Sequence, residues 1–164
     1  MEPTSMTYVS VLKNTLIRKH EVLLAFIKVM EDFEKKLNEG NGDMDADSFE
    51  DFLSKRDTII KQINSLDDGF ESIYKKVQEE IKSNPVAYKS DIKVMQQYIP
   101  KVTELGVKIN AIELRNKSRI ERLFGMRKND VKSYKMSQKT VSNYYRNAYS
   151  AYESSDIRRI DQKK

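Results

Sequence analysis

The chain has 164 residues, 34% of them charged and 38% apolar, with a formal net charge of +5 and no cysteine. The lack of Cys excludes a disulfide framework and thiolate metal sites. So polar a composition does not fill a thick two-layer core, and it suits helices that each bury one narrow stripe.

The first predicted helix follows "PTS", with Thr4 or Ser5 as N-cap. Its apolar positions step by three and four: Val9, Leu12, Leu16, Leu23, Phe26, Met30, Phe33 and Leu37, with Lys19 alone breaking the register. That spacing lays one stripe along one side, close to a seven-residue repeat. "NEGNGD" ends the helix, with Gly40 available for a left-handed cap. The second helix opens at "DADSFED", where Asp47 with Glu50, or Ser48 with Asp51, fits a capping box or its shorter relative. Phe52, Ile59, Ile63, Leu66, Phe70, Ile73 and Val77 continue the stripe, and Arg56 is the exception.

"KSNPVAY" stops that helix, and the third is expected to start at Pro85 with Asn84 as cap. Its stripe is Ile92, Met95, Ile99, Val102, Leu105, Ile109, Ile112, Ile120, Leu123 and Met126. Pro100 inside this run either kinks the helix or marks a late start. Past residue 127 the stripe thins to Val131, Tyr134, Val141, Tyr145, Ala148, Tyr149 and Tyr152, before "ESSD" and "IRRIDQKK". The pattern divides the chain into a bundle, residues 1–127, and a partly helical, detachable basic segment, residues 128–164. Nowhere do β-branched residues alternate between turn signals, so no strand is expected. The fold class is all-α: an elongated antiparallel helical hairpin or three-helix bundle with coiled-coil-like packing and a partly helical C-terminal tail.

Catalytic and metal motifs fail on inspection. "HEVLL" begins like a zinc-protease helix, but the second histidine position holds Leu24, and His20 is the only histidine. Asp43, Asp45 and Asp47 mimic the start of a calcium loop, yet Ser48 replaces its turn glycine and Ser54 its terminal glutamate. "GNG" at 40–42 lacks both the preceding strand and the third glycine of a dinucleotide fingerprint. A thin bundle offers no water-excluding cleft, so no catalytic residue, metal ligand or cofactor is assigned. The first 20 residues are interrupted by Lys13, Arg18 and Lys19, so no leader-type apolar core is seen there. No apolar run approaches the roughly 20 residues of a membrane helix. A soluble, cytoplasmic protein without membrane insertion is expected.

Charge and aromatic content concentrate at the C-terminal end. Residues 1–114 hold 16 Lys/Arg against 20 Asp/Glu, a net of −4, whereas residues 115–164 hold 14 against 5, a net of +9. Tyr144, Tyr145, Tyr149 and Tyr152 fall within one nine-residue span, 144–152, of this segment. Tyrosine offers a broad apolar body with a polar tip, which suits partner contacts. The predicted partner-binding residues are therefore Leu123, Met126, Val131, Tyr134, Val141, Tyr144, Tyr145, Tyr149, Tyr152, Ile157 and Ile160. The plainer alternative is that the tail folds back and its tyrosines complete the core.

Three segments carry a family resemblance: "SKRDTIIKQINSLDDGFESIYKKVQEEI", "ELRNKSRIERLF" and "KTVSNYYRNAYSAYESSDIRRIDQKK". Over residues 48–164 the chain resembles flagellar export chaperones, of the kinds called FlgN and FliT. The resemblance implies a cytoplasmic, all-helical, cofactor-free, non-enzymatic protein, monomeric or homodimeric. Such a chaperone binds the amphipathic C-terminal helix of hook–filament junction subunits or of the filament cap, and delivers them to an export-gate component. It also implies that the C-terminal segment takes part in cargo binding or gate docking; here the ending "RRIDQKK" is less apolar than the family's. The alternatives are a nucleic-acid-binding basic helical protein, favoured by the net of +9, and a structural coiled-coil adaptor.

Overall fold

A computed structural model describes residues 4–39 and 46–126. They form three long helices, α1 (Ser5–Glu39), α2 (Ala46–Ser83) and α3 (Lys89–Met126), with a short 3-10 turn, Pro85–Tyr88, leading into α3. No strand occurs among the described residues. The helices are 35, 38 and 38 residues long, or about 50–57 Å at 1.5 Å per residue. The all-α bundle expected from periodicity is what forms.

Local chemistry sets the boundaries. Thr4 is the cap of α1: its Oγ1 accepts from the Thr7 backbone N–H at 3.2 Å, and Ser5 already lies in the helix. That bond satisfies one of the donors a helix start leaves open. In α2, Asp47 sits in the first turn rather than at the cap, because the helix begins one residue earlier, at Ala46. At the next junction Asn84 makes no side-chain cap bond, and Pro85 starts a 3-10 turn instead of the α-helix expected there. The Asn84 N–H closes α2 on the Glu80 carbonyl, and the Ala87 N–H bonds back to the Asn84 carbonyl. Buried Tyr88 pins the turn, its hydroxyl donating to Glu80 Oε1 at 3.1 Å. Pro100 lies inside a continuous α3, so the late start is excluded; its ring is exposed.

All eight predicted stripe residues of α1 are buried. They meet Phe52, Ile63, Phe70 and Val77 of α2 and Met95, Val102, Ile109 and Ile112 of α3. Helix α1 packs closely against both others, whereas the α2 and α3 backbones approach each other less. The pairs Lys13–Asp91 and Arg115–Glu34 set α3 parallel to α1, and Lys19–Asp67 with Phe33–Phe52 sets α2 antiparallel. Because each helix meets two neighbours, the buried sector is wider than one seam. That explains the burial of Val22, Ile27, Phe49, Leu53 and Ile60 outside the predicted stripes. Ile59, Leu66, Ile73, Ile92 and Leu105, predicted as stripe residues, are only half-buried at its margin.

Gly69 lies in the interior of α2, and a Cβ built on it meets nothing within 4 Å. Glycine loses more backbone freedom on folding than alanine, so Gly69→Ala is expected to stabilise the protein by about 0.5–1 kcal/mol. A urea titration would read this as a higher midpoint at unchanged slope.

Candidate functional site

The two polar interruptions of the stripes are buried and paired. Lys19 Nζ of α1 stands 2.5 Å from Asp67 Oδ1 of α2, both side chains almost wholly out of water. Arg56 of α2 is fully buried and grips Glu113 of α3 through two bonds, Nε to Oε1 at 2.5 Å and Nη2 to Oε2 at 2.6 Å. A planar guanidinium matches a carboxylate in this way, and its length spans the wider α2–α3 gap. Burial pushes the Glu113 carboxyl above its ordinary value, and the Arg56 charge pulls it back without cancelling the effect. Burial likewise lowers the Lys19 ammonium, against the opposing pull of Asp67.

One turn beyond Glu113, Asn116 is 0% exposed and neither amide atom has a hydrogen-bond partner. An unsatisfied buried amide is costly, and leucine has the same branched outline without polar atoms. Asn116→Leu is therefore expected to raise stability by roughly 1–3 kcal/mol, readable by thermal or urea unfolding.

Outside the core, α3 carries two features relevant to a partner. Val107 and Leu114 are 64% and 54% exposed. At 100° per residue they share the outward side with Pro100, beyond the flank on which Glu113 meets α2. The second feature is the basic end of α3, whose cations are partly engaged by α1. Lys108 pairs with Glu31 at 3.4 Å, and Arg115 binds Glu34 through bonds of 3.0 and 3.3 Å. Arg119 bonds to the Asn38 side-chain carbonyl. Two grooves also mark the α1–α2 seam. One, of about 380 Å³, lies over Phe33 and Phe52 between Lys36 and Lys55; the other, about 500 Å³, lies over Val22 and Leu66.

Of the predicted partner-binding residues, Leu123 and Met126 belong to the last turns of α3, and their side chains lie outside the described set. Val131, Tyr134, Val141, Tyr144, Tyr145, Tyr149, Tyr152, Ile157 and Ile160 lie outside the described residues altogether. So do Asp43 and Asp45 of the calcium-like segment. His20 packs edge-on against Tyr98 at a centroid distance of 5.4 Å, a packing role. Among the described residues no group of three His, Cys, Asp or Glu side chains could hold a metal ion, and no helix is long and apolar enough to cross a membrane.

The described residues form a helical bundle of three long helices with two buried ion pairs and a basic end to α3. Comparison with protein-family models, with curated proteins and with solved structures finds no match.

Proposed function

We propose that the protein is a cytoplasmic flagellar export chaperone of the FlgN or FliT kind. It binds the amphipathic C-terminal helix of a hook–filament junction or filament-cap subunit and hands it to the export gate. The observation that carries the reading is the outward face of α3. Val107 and Leu114 are exposed seven residues apart, the spacing at which a second helix lays its apolar face. That helix leads directly into the tyrosine-bearing segment that sequence reasoning assigns to partner contacts. Two of the resembling segments lie on α2 and α3. In this reading the bundle is a scaffold and residues 128–164 are the docking element; no cofactor or catalytic step is involved.

The nucleic-acid alternative rests on the net of +9 in residues 115–164. It is weakened by Arg115, whose charge is already met by the Glu34 carboxylate. The experiment compares the full chain with residues 1–126 as bait in lysates of motile and non-motile cells, captured proteins being identified by mass spectrometry. The full chain is expected to retain a junction or cap subunit between about 50 and 200 mM salt, and the truncated chain to lose it. Recovery of nucleic acid with a steep loss over the same salt range would favour the alternative. Equal capture by both chains would point to a structural adaptor.

A further inference from the structure

We propose that Lys19–Asp67 and Arg56–Glu113 are register keys, one for α1 against α2 and one for α2 against α3. The apolar pattern alone does not fix how far the helices slide. In α1, Val9, Leu16, Leu23, Met30 and Leu37 recur every seven residues, and Leu12, Lys19, Phe26 and Phe33 follow the same period. In α2 the row is Phe49, Arg56, Ile63, Phe70 and Val77, and in α3 it is Met95, Val102, Ile109 and Asn116. A slide of seven residues, about 10 Å, sets apolar rows against apolar rows again. Six residues, 40–45, join α1 to α2, and a chain of that length reaches up to about 20 Å. Its length therefore allows the slide.

The charged positions forbid it. Seven residues to either side of Asp67 stand Ile60 and Tyr74, and seven to either side of Glu113 stand Gly106 and Ile120. A slip by one repeat thus leaves a buried ammonium against an apolar or aromatic side chain, or a buried guanidinium against glycine or isoleucine. An uncompensated buried charge is strongly disfavoured, whereas an intact buried pair adds little net stability. The value of the two pairs lies in the states they exclude. The α2–α3 junction is also tied by Asn84, the 3-10 turn and Tyr88. Lys19–Asp67 is therefore the more decisive key. The exposed pairs do not substitute for it, because solvated ion pairs discriminate weakly.

The absence of cysteine lets two labels be placed cleanly. Asp32→Cys and Lys55→Cys, both exposed on the α1–α2 groove, carry spin labels for a pulsed distance measurement in the full chain. With the native key a single narrow distance is expected. In Lys19→Leu/Asp67→Leu, where α2 and α3 slide together past α1 with Arg56–Glu113 intact, a second, longer distance is expected from molecules slid by about 10 Å. In Asp67→Leu/Tyr74→Asp, which moves the acid one repeat along, the longer distance is expected to dominate. The native distance alone in both variants would overturn the proposal. So would loss of cooperative folding in the leucine pair, since removing a pure register key does not unfold the chain.

Discussion

Glu113→Ala is expected to lower the unfolding free energy by about 3–5 kcal/mol. The substitution leaves the Arg56 guanidinium fully buried and stripped of both charge-assisted bonds. Arg56→Met/Glu113→Leu removes both charges and fills similar volume, so its stability is expected to match or exceed that of the native chain. Urea unfolding of the two variants separates the penalty of an orphaned charge from the net worth of the pair. A pH series adds an independent reading. The folded-state value of Glu113 is raised by burial. Its contribution is therefore fully present below the unfolded value and is lost as pH rises through the folded value. Relative to Glu113→Gln, the native chain should gain stability as pH falls from neutrality towards the ordinary carboxylate range. A flat difference across that range would show that Arg56 fully offsets the burial.

Phe33→Ala is expected to cost a further large amount, about 3–5 kcal/mol. Phe33 stacks on Phe52 with ring centroids 3.7 Å apart and planes 4° from parallel, and its ring centre lies 5.8 Å from that of Phe49. All three rings are buried where α1 and α2 approach their connection. Removing one leaves a cavity that the other two, fixed on one helix, collapse into only partly. Phe33→Leu keeps most of the volume and should cost less than half as much. The check is the urea midpoint at constant slope; a changed slope would mean that this end of the bundle no longer unfolds with the rest.

The three helices were legible because their stripes are long and regular, and all eight α1 positions are buried. Widened sectors were not, since a stripe read on one helix ignores that two neighbours press on it. Val22, Leu53 and Ile60 are buried for that reason. Asp67 and Glu113 were missed, although Lys19 and Arg56 were visible as interruptions. A signal for both was available. Reflecting position 19 about the midpoint of residues 40–45, at 42.5, gives 66, next to Asp67. Reflecting 56 about Asn84, the single residue between α2 and the Pro85 turn, gives 112, next to Glu113. Antiparallel neighbours follow this mirror arithmetic to about a residue, so a buried charge in one stripe points to the region of its partner in the next. Asn116 had no such signal, because its cost shows only once the surrounding atoms are placed. The partner-binding assignment rests on tyrosine chemistry, the stripe that thins past residue 127 and the resemblance, and its residues from Val131 on lie outside the described ones.

The central position of α1 has a consequence during synthesis. Its seam for α2 is covered once residue 83 has emerged, but its seam for α3 waits for residue 126, a further 43 residues. At 5–20 residues per second that interval lasts about 2–9 seconds. Throughout it Leu16, Leu23 and Met30 border an uncovered flank of a two-helix nascent chain. A slower ribosome over the α3 codons lengthens that exposure.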